Sequence, residues 1–299
     1  MEHVDTDQLH IGFERYGEPG REPPLILLHG FPDDASAWRG VGPILATAGR
    51  HALAPHVRGC GSTRFHSADT PRSGQPAARA RDLLALLDAL RLDRVVLVGQ
   101  DWGAATAQAL AILHPERVER MVLLNGHGLL NAAVFAQGKR PSWATLHAGW
   151  TQWLFQTPLA QALIDADRAC FARYLWEQWS PGWRFAEAEF ASLALSLGNS
   201  DWTAVVLSAY RSFDQDPSAD PRDAAASHRL AQDPRITSPT LNLQGARDAV
   251  DLFVDTQLGQ EAFYTGGFRR VVLDECGHFL QRERPDAVAK QVLAFLAER

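Results

Sequence analysis

About a third of the way along, the chain runs from a buried-strand pattern straight into a helix. Arg94-Val-Val-Leu-Val-Gly99 is dense in β-branched residues, and a tight Gly99-Gln100-Asp101-Trp102-Gly103 stretch leads to Ala104–Leu113 (AATAQALAIL), strong helix formers stopped by His114-Pro115. The unit repeats on either side. PPLILLHG and HALAPHVRG read as short strands, ARARDLLALLDALRL has apolar residues at helical spacing up to Leu92, and Met121-Val-Leu-Leu-Asn125 is another buried strand. Such alternation predicts an α/β chain whose mostly parallel central sheet is covered by helices on both faces.

After Asn125 the rhythm changes. The segment 129–234 reads as helices, including PLAQALIDADRACFARYLWEQW and FAEAEFASLALSL, before PTLNLQG resumes as a strand. RRVVLDECGHF then reads as a strand and loop, and Pro285–Arg299 as a helix. The expected organisation is a core of residues 1–128 and 235–299 with an inserted helical domain, 129–234. Seven of the nine Trp (143, 150, 153, 176, 179, 183 and 202) fall in the insertion, which implies an aromatic interior or underside. DQDPSADPRDAAAS, residues 214–227, reads as a surface loop.

Composition narrows the function classes. With 29 Lys and Arg against 35 Asp and Glu, the net charge is -6, and no basic run offers a footprint for nucleic acid. Cys60, Cys170 and Cys276 are too few and too widely spaced for a disulfide framework or a CxxC metal site. The opening residues, MEHVDTDQLH, lack an apolar signal core, and no run approaches 18 apolar residues. A cytoplasmic protein without a membrane partner is expected, with a homodimer as the assembly considered.

The chemistry centres on Asp101. Glycines on both sides of it permit a strained turn that lifts its side chain above the end of a strand at a helix N-terminus, the position of a nucleophile; an ordinary N-cap aspartate is the bland alternative. With His29-Gly30-Phe31-Pro32, Arg58-Gly59-Cys60-Gly61-Ser62-Thr63 and Cys276-Gly277-His278-Phe279, all in order, the chain resembles the α/β-hydrolases, most closely the branch of epoxide hydrolases and haloalkane dehalogenases, in which the nucleophile is Asp. The insertion would correspond to that family's helical cap.

The resemblance implies a set of roles. Asp101 would attack an electrophilic carbon to form an alkyl-enzyme ester. His278, held by Asp248 with Asp251 as the competing acid, would activate a water to hydrolyse it. The backbone N–H groups of Phe31 and Trp102 would form the oxyanion hole, and Tyr210 matches the ring-opening tyrosine of the epoxide hydrolases. Thr151 stands where those enzymes usually carry a second cap tyrosine, so an indole N–H of Trp150 or Trp153 is the expected replacement donor. Gln100 replaces the usual His of the elbow, with little expected consequence. No cofactor or metal is implied, and the expected substrate is a bulky apolar or aromatic epoxide. Two alternatives stay open: a haloalkane dehalogenase with the same triad, favoured by Trp102 and disfavoured by Phe31 at a position often Asn, and a non-catalytic binder of apolar ligands.

Overall fold

The structure is a computed structural model that describes residues 1–126, 129, 130, 133, 134, 138, 140, 142–211, 216–250 and 259–298. Its strands are β1 (Glu2–Asp5), β2 (Leu9–Tyr16), β3 (Leu25–Leu28), β4 (Ala52–Pro55), β5 (Arg64–Phe65), β6 (Val95–Gln100), β7 (Val118–Leu124), β8 (Thr240–Gly245) and β9 (Phe268–Leu273). They form a single sheet in the order β1-β2-β4-β3-β6-β7-β8-β9, with β5 beside β2. The six strands from β4 to β9 in that order run parallel, and β1, β2 and β5 pair antiparallel at one edge.

Both faces of the parallel strands are buried, which is why these strands read as continuous apolar runs rather than alternating ones. Ile26, Leu28, Val95, Leu97, Met121 and Leu123 face α2 (Pro76–Ala89) and α3 (Trp102–Leu113). Leu25, Leu27, Val96, Val98, Val122 and Leu124 face the opposite way, toward Val41 and Leu45 of α1 (Val41–Thr47) and toward the C-terminal helix. The period-two alternation of each strand thus builds two separate cores, the α/β arrangement expected of the chain.

Between β7 and β8 the described residues hold the helices α4 (Trp143–Ala148), α5 (Trp150–Leu154), α6 (Leu159–Ala166), α7 (Arg168–Trp179), α8 (Glu187–Ser196), α9 (Trp202–Ala209) and α10 (Ala224–Gln232). Two helices follow β9: the single turn α11 (Leu280–Glu283) and the longer α12 (Pro285–Ala297). A third apolar cluster joins the helical segment to the sheet, with Phe155, Trp176, Trp179 and Trp202 packed on Phe31, Trp102 and Phe279.

Three expectations are corrected. The run 158–179 is two helices, because Asp167 leaves helical conformation and accepts the Cys170 N–H at 2.8 Å, an N-cap that starts α7 afresh. The stretch 214–227 is not a plain surface loop: Asp220 and Asp223 are buried against Arg81 of α2, at 3.0 and 2.8 Å, and α10 begins inside it. The insertion's tryptophans are also not uniformly interior, since Trp143 is 87% and Trp153 57% exposed. No described helix is long and apolar enough to cross a membrane.

Candidate active site

The turn between β6 and α3 is closed by contacts that admit no side chain at either glycine. A Cβ on Gly99 would lie 2.4 Å from the Gly103 carbonyl oxygen, and one on Gly103 would lie 2.1 Å from that of Leu28. Asp101 between them takes φ 50° and ψ -113°, a conformation that costs an L-residue on the order of 1–3 kcal/mol. The strain raises the carboxylate above the sheet at the N-terminus of α3, where unpaired N–H groups converge. Oδ1 accepts the Phe31 N–H at 2.8 Å, and the Trp102 backbone N–H, the first of α3, also favours the charged carboxylate. Gly30 is as constrained as the elbow, since a Cβ there would meet the Asp101 Cβ at 2.5 Å.

His278 follows β9 and is buried beside Asp101. Its Nε2 lies 3.8 Å from Asp101 Oδ2, and its Nδ1 is 3.0 Å from Oδ2 of Asp248, which follows β8. Asp248 is itself oriented by the Val250 N–H, 2.9 Å from its Oδ1. The competing acid, Asp251, lies outside the described residues. Asp101, Asp248 and His278 therefore converge from three separate strand ends.

Burial is the largest influence on the Asp101 carboxyl and raises its pKa above the ordinary value; His278, the two backbone N–H groups and Arg79 pull it back down. Its side chain remains 22% exposed, so one face is open to a reactant. Tyr210, at the end of α9, packs its ring 4.5 Å from Phe155, 5.7 Å from Phe31 and 5.8 Å from Trp102. Its phenol is held well above its usual pKa, first by burial and then by the Asp101 charge, so it is a protonated donor at neutral pH. Burial likewise pushes the Cys276 thiol up to about 11, which makes it a poor nucleophile.

The replacement donors fare differently. Trp153 is on the surface and its indole N–H is spent on the Leu146 carbonyl at 3.2 Å, which removes it from the site. Trp150 packs edge-on against the exposed Tyr174, with centroids 6.1 Å apart. Thr151 is buried one turn before Phe155.

Several residues of the site were missed from sequence. Ser180, just past α7, donates its hydroxyl to Glu283 at 2.7 Å and accepts the His278 N–H at 2.8 Å. Glu283 also accepts the N–H groups of Gly277 and Phe279, at 2.8 and 3.1 Å. Asn125 bonds the Gly277 carbonyl and the Gly245 N–H, each at 2.8 Å, tying the acid loop to the histidine loop. Gln100 reaches the same loop, 3.2 Å from the His278 carbonyl, so its presence at the elbow has a structural consequence after all. Trp179 stands edge-on to the His278 ring at 5.2 Å, with its indole N–H buried and unpartnered among the described residues. Local patterns cannot reveal partners so distant along the chain. Arg79 did leave a signal, since it stands four residues before Leu83 and seven before Leu86 on the apolar stripe of α2.

A strained strand-to-helix elbow, the Phe31 N–H on its side chain and a buried acid-histidine pair define a hydrolase of the α/β class. The profile of the alpha/beta hydrolase fold family matches residues 23–285, and the chain belongs to that family. Epoxide hydrolase A of Mycobacterium tuberculosis is 30% identical over 98% of this chain and 96% of its own. An epoxide hydrolase of Caballeronia sordidicola is 28% identical over 93% of this chain and 89% of its own. Among solved structures, a candidate epoxide hydrolase from Klebsiella pneumoniae superposes with a TM-score of 0.90 at 35% identity, covering 98% of this chain and 96% of that one. The protein is an α/β-hydrolase enzyme whose relatives are epoxide hydrolases.

Proposed function

We propose that the protein hydrolyses an epoxide to a vicinal diol through a covalent ester on Asp101. The observation that carries this reading is a carboxylate, not a hydroxyl, in the elbow, with Phe31 N–H on one oxygen at 2.8 Å and His278 Nε2 3.8 Å from the other. A serine would need a base to deprotonate it. A carboxylate is already anionic at neutral pH and attacks an sp3 carbon directly, which leaves the histidine for the second step.

In the first step an Asp101 oxygen bonds to a ring carbon while the ring C–O bond breaks. The departing alkoxide takes the Tyr210 proton, a transfer suited to a phenol held protonated by its surroundings. In the second, His278 removes a proton from a water that attacks the ester carbonyl, and Asp248 steadies the imidazolium. The oxyanion that forms is stabilised by the N–H groups of Phe31 and Trp102, each a type of donor worth about 3–4 kcal/mol. On collapse the expelled alkoxide takes the proton from His278 to complete the diol, and the carboxyl proton left on Asp101 passes to the Tyr210 phenolate, which restores both groups.

The helical segment, read as a cap over residues 129–234, would shelter the reactants. Phe31, Trp102, Phe155, Trp179 and Tyr210 in one aromatic cluster support a bulky apolar or aromatic substrate. The test is the intact mass of a His278→Gln variant after incubation with aryl epoxides and, separately, haloalkanes. Addition of the whole epoxide mass on the peptide bearing Asp101 is the expected result. An alkyl adduct with halogen lost would favour a dehalogenase, and no adduct from either panel would favour a non-catalytic binder.

A further inference from the structure

Arg79 has no part in that mechanism and no ordinary structural role. It lies inside α2, 4% exposed, and its Nε and Nη1 have no hydrogen-bond partner among the described residues. Burying a guanidinium without partners is costly, and it persists only where something nearby compensates the charge. Two compensations are visible. The guanidinium carbon sits 4.9 Å from the Trp102 ring centroid, a cation–π contact, and the carboxylate whose charge acts most on it is Asp101. Neighbouring Arg58 offers no relief, because it is another cation, spent on Asp82 at 2.5 Å. Arg79 also borders a small cavity with Leu83, Leu86 and Thr106. A water held there would satisfy N–H groups but would leave the charge unbalanced.

We infer that Arg79 is a positioning residue of the reaction: a buried fixed cation, laid against the Trp102 indole, that holds the Asp101 carboxylate in its attacking form. Burial pushes the guanidinium down to about 10, so it stays charged at neutral pH. Its charge opposes the burial that raises Asp101, and it acts on Tyr210 in the same direction, toward easier proton release. The other groups that act on Asp101 are His278 after β9, Tyr210 after α9, and the N–H groups of Phe31 and Trp102. Arg79 is the cation among them whose charge does not depend on pH in the working range. The inference rests on the ester mechanism for its consequence and on electrostatics alone for its first readout.

Three forms are compared: the parent, Arg79→Met, which keeps the length and loses the charge, and Arg79→Lys, which keeps the charge. The first measurement is the carboxyl 13C titration of Asp101, assigned with Asp101→Asn. Loss of the cation should move it up by about one pH unit, and Lys should restore most of the shift. The second is the pH profile of ester formation from styrene oxide in the His278→Gln background. Its acid limb should move up by the same amount in Arg79→Met, so that the rate falls by up to about tenfold below the limb and is unchanged on the plateau above it. Should Arg79→Met fail to fold, Arg79→Gln serves as the neutral form. An unmoved titration in a folded neutral variant overturns the inference. Absence of ester in the parent would count against the epoxide reading alone, since the titration does not depend on turnover.

Discussion

In the proposed mechanism Asp101 meets two opposed demands, because it must be buried to react in a dry site and ionised to react at all. Its pKa is raised above 3.8 chiefly by burial, so folding disfavours the ionised form relative to the unfolded chain, although the group is still an anion at neutral pH. The signs follow. Activity requires the anion, and ester formation should fall as pH drops through a value above the ordinary carboxylate range, as a stopped-flow pH profile would reveal. Stability runs the other way: a group whose folded pKa is raised stabilises fold at low pH, and that contribution is lost as pH rises through the folded pKa. Asp101→Asn should therefore abolish ester formation while raising the thermal midpoint at pH 7, by about 2–4 °C for each kcal/mol recovered. A lowered midpoint would mean that the N–H groups and Arg79 more than offset the burial.

At the scale of elements, the site depends on how closely one strand end approaches one helix. Gly103→Ala would drive a Cβ against the Leu28 carbonyl oxygen at 2.1 Å, backbone against backbone with no flexible atom to yield. We expect a loss of at least about 3 kcal/mol in urea unfolding, or no soluble protein. The histidine loop is held differently, by Glu283 accepting from Gly277, Phe279 and Ser180. Glu283→Ala strands the Gly277 N–H and the Ser180 hydroxyl and leaves the Phe279 N–H only Ser180 Oγ at 3.3 Å, which frees the backbone on either side of His278 at about 1–3 kcal/mol for each donor left buried. In the proposed mechanism His278 acts after the ester has formed, so this variant should slow ester hydrolysis about tenfold and leave ester formation near the parent rate. Rapid-quench measurement of the two steps would reveal an equal slowing of both if that assignment of roles is wrong.

The whole molecule is joined across the site by a buried charge cluster centred on Arg282 of α11. Its guanidinium bonds Asp33 at 2.6 Å beyond β3 and Glu189 of α8 at 2.9 Å, while Asp34 accepts the hydroxyl of Ser196. Sheet, histidine loop and helical segment thus share one cation. Arg282→Met would leave the carboxylates of Asp33 and Asp34 buried without it, a cost of about 3–5 kcal/mol, seen as a lower urea midpoint with the slope unchanged. If the slope also fell, the helical segment would be unfolding apart from the sheet.

How far the site could be read beforehand depended on how local each signal was. The order of strands and helices, the elbow at Asp101 and the motifs around Phe31 and His278 were legible, because periodicity and turn chemistry are recorded within a few residues. Asp248 could be chosen over Asp251 by resemblance; it lies 3.0 Å from His278, and Asp251 is outside the described residues. The break at Asp167 was also local and was overlooked, a cap hidden inside a run of helix formers. What the sequence could not determine was which tryptophans face inward, that Trp153 spends its N–H on Leu146, or that Ser180 meets Glu283 and His278. Those facts follow from how strands far apart in sequence align side by side, and burial, partners and charge compensation exist only once they have done so. Arg79 shows the division within one residue: its place on an apolar stripe is written in the sequence, but only the tertiary structure puts Trp102 and Asp101 beside it.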